Sequence, residues 1–195
     1  MVSAVDNTLP QLGADALLVV LIVLNAVLGW RTGTLRRVLS FAGLYVAFLT
    51  AYYTGNGVAA IFRKGDIYAN AWAFVAILVV VVLLFEVLGA VFAERIKSIA
   101  VMAFDRVAAV FIGAALGFFQ ALVLFLIALA VGAARPGPGN TVPANHDAAA
   151  NAVNGATLSS HAIGAEPVVR GAVAPLITSD LTTHLEDGTQ IALHF

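Results

Sequence analysis

Three polar side chains lie inside otherwise apolar stretches of the sequence. Asn25, Glu86 and Gln120 are each flanked by runs of Val, Leu, Ile, Ala and Phe. An unpaired carboxylate in hydrocarbon is costly, so Glu86 is expected to be protonated, paired or in contact with water. Counting residues along helices places Asn25 and Glu86 at a similar depth, and Gln120 about 8 Å higher, where it would need a bridging water. The three residues would either line a proton or solute path or join helices through hydrogen bonds.

A second polar group is the stretch LGWRTGTLRR, Leu28 to Arg37, which separates two apolar runs. Its arginines are expected to anchor the orientation of the chain in a membrane, since orientation follows the distribution of Lys and Arg. Gly33 is expected to allow a tight turn that a residue with a Cβ would resist. The arginine fork is expected to bind either Asp105, at the start of the last apolar run, or a lipid phosphate.

Residues suited to catalysis or metal binding are sparse. The four histidines, His146, His161, His184 and His194, are irregularly spaced, and there is no cysteine. The sequence contains no GxSxG, HExxH or phosphate-binding loop pattern. We therefore expect a protein that is not an enzyme and that uses no metal or cofactor.

The composition is that of a membrane protein. The 195 residues are 61% hydrophobic and 11% charged, and the mean hydropathy is +0.97, whereas a soluble domain is about one quarter charged. The net charge of -1 argues against a nucleic-acid partner. A helix needs roughly 20 apolar residues to cross a bilayer. The sequence predicts an all-α integral membrane protein with a bundle of four transmembrane helices, at about 12–30, 38–53, 69–93 and 107–134.

The remaining residues divide into two further segments. Residues 135–157 are rich in Ala, Asn, Gly and Pro, which favours a flexible linker after the membrane domain of 1–134. Residues 158–195 form a short tail, for which we expect partial disorder. One apolar face with helical spacing is expected within it, from Val169, Val173, Leu176, Ile177 and Leu181.

The charges near the span ends predict the orientation. The first and third loops hold six Lys and Arg residues, against three on the other side. The positive-inside rule then places those loops in the cytoplasm and both termini outside. The first span is not expected to be a cleaved signal peptide, because its arginines follow the apolar core.

The last span carries small residues at four-residue intervals. Ala109, Gly113, Gly117 and Ala121 would form a stripe that lets two helix backbones approach closely. The second span has a looser version, from Ser40 to Ala51. We expect these stripes to form a tight interface between spans two and four, or between protomers.

Taken together, these motifs resemble the colicin V production protein family over about Asp15 to Ala134. An aspartate opens the first span, GWRTGTLRR follows it, and Asp-Arg precedes the small-residue stripe of the last span. Thr34 departs from the family pattern, which usually has Phe or Leu there, and Ala109 stands where the first glycine is often found. The residues that match the family motif are Asp15, Gly29, Arg31, Gly33, Arg36, Arg37, Asp105, Arg106, Gly113 and Gly117.

The resemblance implies a bacterial inner-membrane protein of four helices that is linked to toxin production or export, or to envelope physiology. No catalytic residues are established for the family. An accessory or scaffold role follows, with the lipid bilayer, other membrane proteins or further copies of the chain as partners. The alternative is a small channel or proton-coupled transporter that uses Glu86.

Overall fold

A computed structural model of the protein describes residues 3–62, 65–96, 103–136 and 141–164. Four of the helices in these ranges are long and apolar enough to cross a membrane, at Leu9–Thr32, Thr34–Phe62, Ile67–Phe92 and Asp105–Ala133. The predicted all-α fold with four membrane-spanning helices is confirmed. The helices are α1 (Ser3–Thr32), α2 (Thr34–Phe62), α3 (Ile67–Ile96), α4 (Ala103–Ala133), α5 (Ala148–Gly155) and α6 (Thr157–Ile163).

The long helices extend beyond the predicted spans. Helix α2 does not stop near residue 53 but continues through the polar sequence TGNG to Phe62. Asn56 and Ala59, in this extension, are both buried. Tertiary packing therefore stabilises a helical segment that local hydropathy does not predict.

Two compact units divide the chain, and each contains part of every long helix. Of the described residues, those in 17–50 and 76–121 form one unit, and those in 1–16, 51–75 and 122–164 form the other. We call them the cluster unit and the cap unit. The cluster unit holds Asn25, Glu86, Gln120 and most of the family-motif residues, whereas the cap unit holds Asp15.

The cap unit corrects one sequence-based expectation. Part of the range 135–157, where we predicted a flexible linker, forms helix α5, and Ala150 and Val153 on this helix are buried. A Cβ placed on Gly132 of α4 would collide with Ala150. Small residues at this contact let α5 lie against α4, so the segment buries apolar surface despite its polar composition.

Within the cap unit, the start of α3 is hydrogen-bonded to Thr141, in the segment that follows α4. The Thr141 N–H donates to the Gly65 carbonyl at 2.6 Å, and the Ile67 N–H donates to the Thr141 carbonyl at 3.4 Å. Asp66 accepts the Tyr68 N–H at 2.9 Å and so caps the helix. The apolar face that we predicted from Val169 to Leu181 lies outside the described residues.

Candidate functional site

The connection between α1 and α2 is a single residue, Gly33. Its φ of +81° is the left-handed conformation that favours glycine, which confirms the predicted tight turn. The Gly33 N–H donates to the Gly29 carbonyl at 2.9 Å, so the last turn of α1 is closed. The two helices thus reverse direction within one residue, and this brings Arg36 and Arg37 close to the end of α1.

Asp105 on α4 fastens this turn through the backbone. The Thr34 N–H lies 3.3 and 3.4 Å from the two carboxylate oxygens of Asp105, and the Thr34 hydroxyl donates to the Asp105 carbonyl at 2.8 Å. The first N–H groups of a helix have no intrahelical acceptor and favour a negative charge. The expectation that an arginine fork binds Asp105 is therefore wrong for the contacts observed, because Asp105 accepts from the N-terminus of α2.

The arginine forks instead bind Glu86 on α3. Arg36 Nε and Nη2 each lie 3.3 Å from Glu86 Oε2, and Arg37 Nη2 lies 3.1 Å from the same oxygen. Ser40 Oγ lies 2.5 Å from Glu86 Oε1 and 2.9 Å from the Arg36 carbonyl oxygen. The carboxylate is thus paired, one of the three states expected for it.

Arg37 is the most enclosed member of this group, with a side chain that is 1% exposed. Besides Glu86, it donates from Nε to the Thr32 hydroxyl at 3.2 Å and from Nη1 to the side-chain oxygen Oδ1 of Asn25 at 3.5 Å. Every nitrogen of the guanidinium has an acceptor. A buried charge is tolerated when it is paired and hydrogen-bonded in this way.

Asn25 extends the network to α4. Its Nδ2 donates to Gln120 Oε1 at 2.9 Å and to the Leu21 carbonyl at 2.9 Å. The direct contact corrects the expectation that a water would separate Gln120 from Asn25. Counting residues from the span ends overstated the difference in depth between the two side chains, and the long glutamine side chain covers the rest. Asn25 and Glu86 are not bonded to each other but are joined through Arg37.

The network therefore joins all four long helices of the cluster unit. We call it the polar cluster, and its centre is one carboxylate paired with two guanidinium groups and surrounded by neutral donors and acceptors. Its members are Asn25, Thr32, Arg36, Arg37, Ser40, Glu86 and Gln120.

The glycines of the small-residue stripe on α4 pack on α1. A Cβ added to Gly113 or Gly117 would collide with the carbonyl of Asn25 or Leu21. Gly29 of α1 in turn faces the Ala109 carbonyl. We expected the stripe to face span two or another protomer, and this expectation overlooked that α1 supplies its own glycine at the contact.

The looser stripe of α2 faces α3. A Cβ on Gly43 would overlap the Phe85 side chain, and Ser40 contacts Glu86 one residue further along α3. Close approach of these two helices brings the hydroxyl within reach of the carboxylate. The stripe therefore positions the polar cluster, a role that the sequence alone did not indicate.

The remaining motif residues lie apart from the polar cluster. Arg31 and Arg106 are exposed. Asp15 belongs to the cap unit, where its carboxylate accepts the N–H groups of Thr157, Leu158 and Ser159 at 3.1, 3.0 and 2.8 Å and the Ser159 hydroxyl at 2.9 Å. Asp15 thus caps the N-terminus of α6 from a distant position in the chain.

The chemistry open to these residues is limited. His146 and His161 each contact a backbone carbonyl of their own segment, at 2.8 and 2.6 Å, while His184 and His194 lie outside the described residues. Within the described ranges, no group of three His, Asp or Glu side chains is placed to hold a metal ion. The cluster is suited to holding helices together, since its charges and polar groups bind one another.

Sequence reasoning missed the roles of Thr32 and Ser40 and the pairing of the arginines with Glu86. A signal was present for the pairing, because a lone carboxylate within a membrane helix usually pairs with another charged residue. Two arginines, Arg36 and Arg37, lie in the first turn of the preceding helix. The positive-inside interpretation drew attention away from this possibility.

Comparison with known proteins identifies the family of the chain. A model of the colicin V production protein family matches residues 14–161, about three quarters of the sequence. The match continues past Ala134 and takes in α5 and most of α6. No curated protein and no solved structure matches the chain. The protein is a membrane protein that belongs to the colicin V production family.

Proposed function

We propose that the protein is a non-enzymatic accessory factor or scaffold of the bacterial inner membrane, which supports toxin production or export, or envelope homeostasis, through partner proteins. The observation that carries this proposal is the family match over residues 14–161. The match includes the polar cluster, both ends of the Gly33 turn and the contact between Asp15 and α6.

The geometry of the polar cluster supports a scaffold more than a transport path. Both oxygens of Glu86 are engaged, one by Arg36 and Arg37 and the other by Ser40. A carboxylate that carries protons or ions must exchange partners during each cycle. Here exchange would leave the buried Arg37 without its counter-ion, which costs several kcal/mol.

The proposed orientation places the Gly33 turn in the cytoplasm and both termini in the periplasm, on the strength of the Lys and Arg distribution. Green fluorescent protein, which is fluorescent only in the cytoplasm, tests this orientation. A fusion after Arg37 is expected to be fluorescent and a fusion after Ala134 dark. The reverse pattern would overturn the orientation.

Reconstitution in proteoliposomes tests the scaffold against the channel or transporter that uses Glu86. We expect proton and potassium fluxes no greater than in empty liposomes. The variants are Glu86→Gln and, as a matched acid-to-amide control, Asp147→Asn, which among the described residues alters an exposed contact with Asn151. A flux that Glu86→Gln abolishes and Asp147→Asn preserves would replace the scaffold with the channel.

Crosslinking in native membranes tests the need for partners. We expect specific crosslinked species that contain either a second membrane protein or a second copy of the chain. Deleting the gene should reduce release of colicin V or weaken the envelope, and the wild-type gene should restore it. A chain that crosslinks to nothing, in cells where its deletion has no effect, would contradict the proposal.

A further inference from the structure

The polar cluster has more positive than negative charge. Two guanidinium groups, those of Arg36 and Arg37, share one carboxylate oxygen of Glu86, and Ser40 contacts the other oxygen. The formal charge of the three ionised side chains is therefore +1. An uncompensated charge at the edge of the hydrocarbon is costly, so it requires water or an anion.

The excess charge is accessible at one of the two arginines. Arg37 is 1% exposed and all its nitrogens have acceptors, whereas the side chain of Arg36 is 28% exposed. Arg36 directs Nε and Nη2 to Glu86. Its Nη1 has no hydrogen-bond partner among the described residues, so one edge of this guanidinium is open.

The position of Arg36 matches the level of lipid headgroups. The span of α1 ends at Thr32 and that of α2 begins at Thr34. Arg36 is two residues further on, about 3 Å along the helix axis. A guanidinium at this depth reaches the headgroup region, because arginine stems lie along apolar surface while their charged ends extend toward water.

The surroundings of Arg36 suit a lipid. A Cβ at Gly89 of α3 would lie 3.4 Å from Arg36 Cγ, so the glycine gives the arginine stem room against α3. Leu35 and Leu88, the chain neighbours of these two residues, are 46% and 41% exposed. A cationic group therefore lies beside apolar side chains. A phospholipid is complementary to this arrangement, because its anionic phosphate is attached to apolar acyl chains.

We propose that the open edge of Arg36 binds the phosphate of an anionic phospholipid, whose acyl chains cover exposed apolar side chains of α2 and α3. A guanidinium edge offers parallel N–H donors that match two phosphate oxygens. An anionic headgroup such as phosphatidylglycerol cancels the excess charge of the cluster, whereas zwitterionic phosphatidylcholine does not. Basic sites between membrane helices bind anionic headgroups in this manner. The inference does not depend on the accessory role proposed above.

Native mass spectrometry of the purified full-length chain tests the proposal. The protein is mixed with equal amounts of phosphatidylglycerol and phosphatidylcholine, and the bound lipids are counted. We expect Arg36→Gln to reduce bound phosphatidylglycerol about tenfold and Arg36→Lys to reduce it less, because an ammonium keeps the charge without the fork. Arg31→Gln, which removes an exposed arginine from the same turn, should bind as the wild type does.

Three results would overturn the proposal. The first is equal phosphatidylglycerol binding by Arg36→Gln and Arg31→Gln, and the second is equal binding of the two lipids by the wild type. The third is loss of bound phosphatidylglycerol when millimolar inorganic phosphate is added, which would indicate a site for free phosphate. Circular dichroism establishes that each variant is helical. If Arg36→Gln does not fold, the comparison of Arg36→Lys with Arg31→Gln decides, and equal binding by these two contradicts the proposal.

Discussion

Glu86 in the cluster unit and Asp15 in the cap unit are both carboxylates on long helices, and both are satisfied, but by different donors. Glu86 is bound by two guanidinium groups and a serine hydroxyl. Asp15 is bound by three backbone N–H groups and a serine hydroxyl. The first arrangement pairs charges, whereas the second caps a helix.

The difference determines what each carboxylate stabilises. Removing Glu86 leaves Arg37 as a charge with almost no access to solvent, because its side chain is 1% exposed. Removing Asp15 leaves N–H groups at the start of a short helix, and the bonds to Thr157 and Leu158 are solvent-exposed, so water can replace the carboxylate there. We therefore expect removal of Glu86 to lower the stability of the whole fold, and removal of Asp15 to destabilise mainly helix α6.

The largest effect is expected for Glu86→Ala. Breaking a buried ion pair by removing one partner costs 3–5 kcal/mol, and because Glu86 is 23% exposed we expect about 3 kcal/mol of unfolding free energy. Unfolding in mixed micelles measures the loss. The double variant Glu86→Leu with Arg37→Leu should lose less than the sum of the single changes, since it leaves no buried charge. Strict additivity would contradict the pairing.

A smaller effect is expected for Gly117→Ala, paired with Gly57→Ala as a matched control. The new Cβ at residue 117 would collide with the Leu21 backbone, while a Cβ at residue 57 would meet no atom of the described residues within 4 Å. We expect a loss of about 1–3 kcal/mol at Gly117 from overpacking. No loss is expected at Gly57, where alanine improves helix propensity by up to about 1 kcal/mol. Thermal unfolding in detergent measures both, and equal effects would show that the contact between α1 and α4 is not close.

The smallest effect is expected for Asp15→Ala. Loss of a helix cap costs about 1 kcal/mol, and here it should act mainly on α6. Hydrogen exchange at the amides of residues 157–159 should accelerate several-fold, while exchange in the cluster unit stays unchanged. Asp147→Ala serves as the control, because within the part of the chain that the structure describes its side chain bonds only Asn151. Unchanged exchange at residues 157–159 would show that Asp15 does not cap α6. A global loss of stability would contradict the expectation that Asp15 acts on one segment whereas Glu86 acts on the whole fold.

The four long helices and the Gly33 turn were predictable because strong local constraints govern them. Hydrocarbon requires every backbone group to be bonded within the segment, which leaves helices as the solution for long apolar runs. A glycine between two such runs is suited to a left-handed turn. Both features can therefore be inferred from short stretches of sequence.

Partner choice in the polar cluster and the structure after α4 were not predictable in the same way. Whether Arg36 binds Glu86 or Asp105 depends on which helices are neighbours, and hydropathy does not report this. The cap of α6 comes from Asp15, 142 residues before Thr157 in the chain. The residue at the usual capping position is Ala156, which provides no side-chain bond. Contacts between distant residues of this kind leave no periodic pattern.

The contact between Gly117 and Leu21 also sets an order of events during synthesis. The two residues are 96 positions apart, and their backbones meet closely. At translation rates of roughly 5–20 residues per second, α1 waits about 5–20 s for α4 to be made. Arg36, Arg37 and Glu86 have all been synthesised before then, so the ion pairs between α2 and α3 can form before α4 packs on α1. A nascent chain stalled before α4 therefore lacks Gln120, the acceptor for the side-chain amide of Asn25, and lacks the glycines that pack on the backbone of α1.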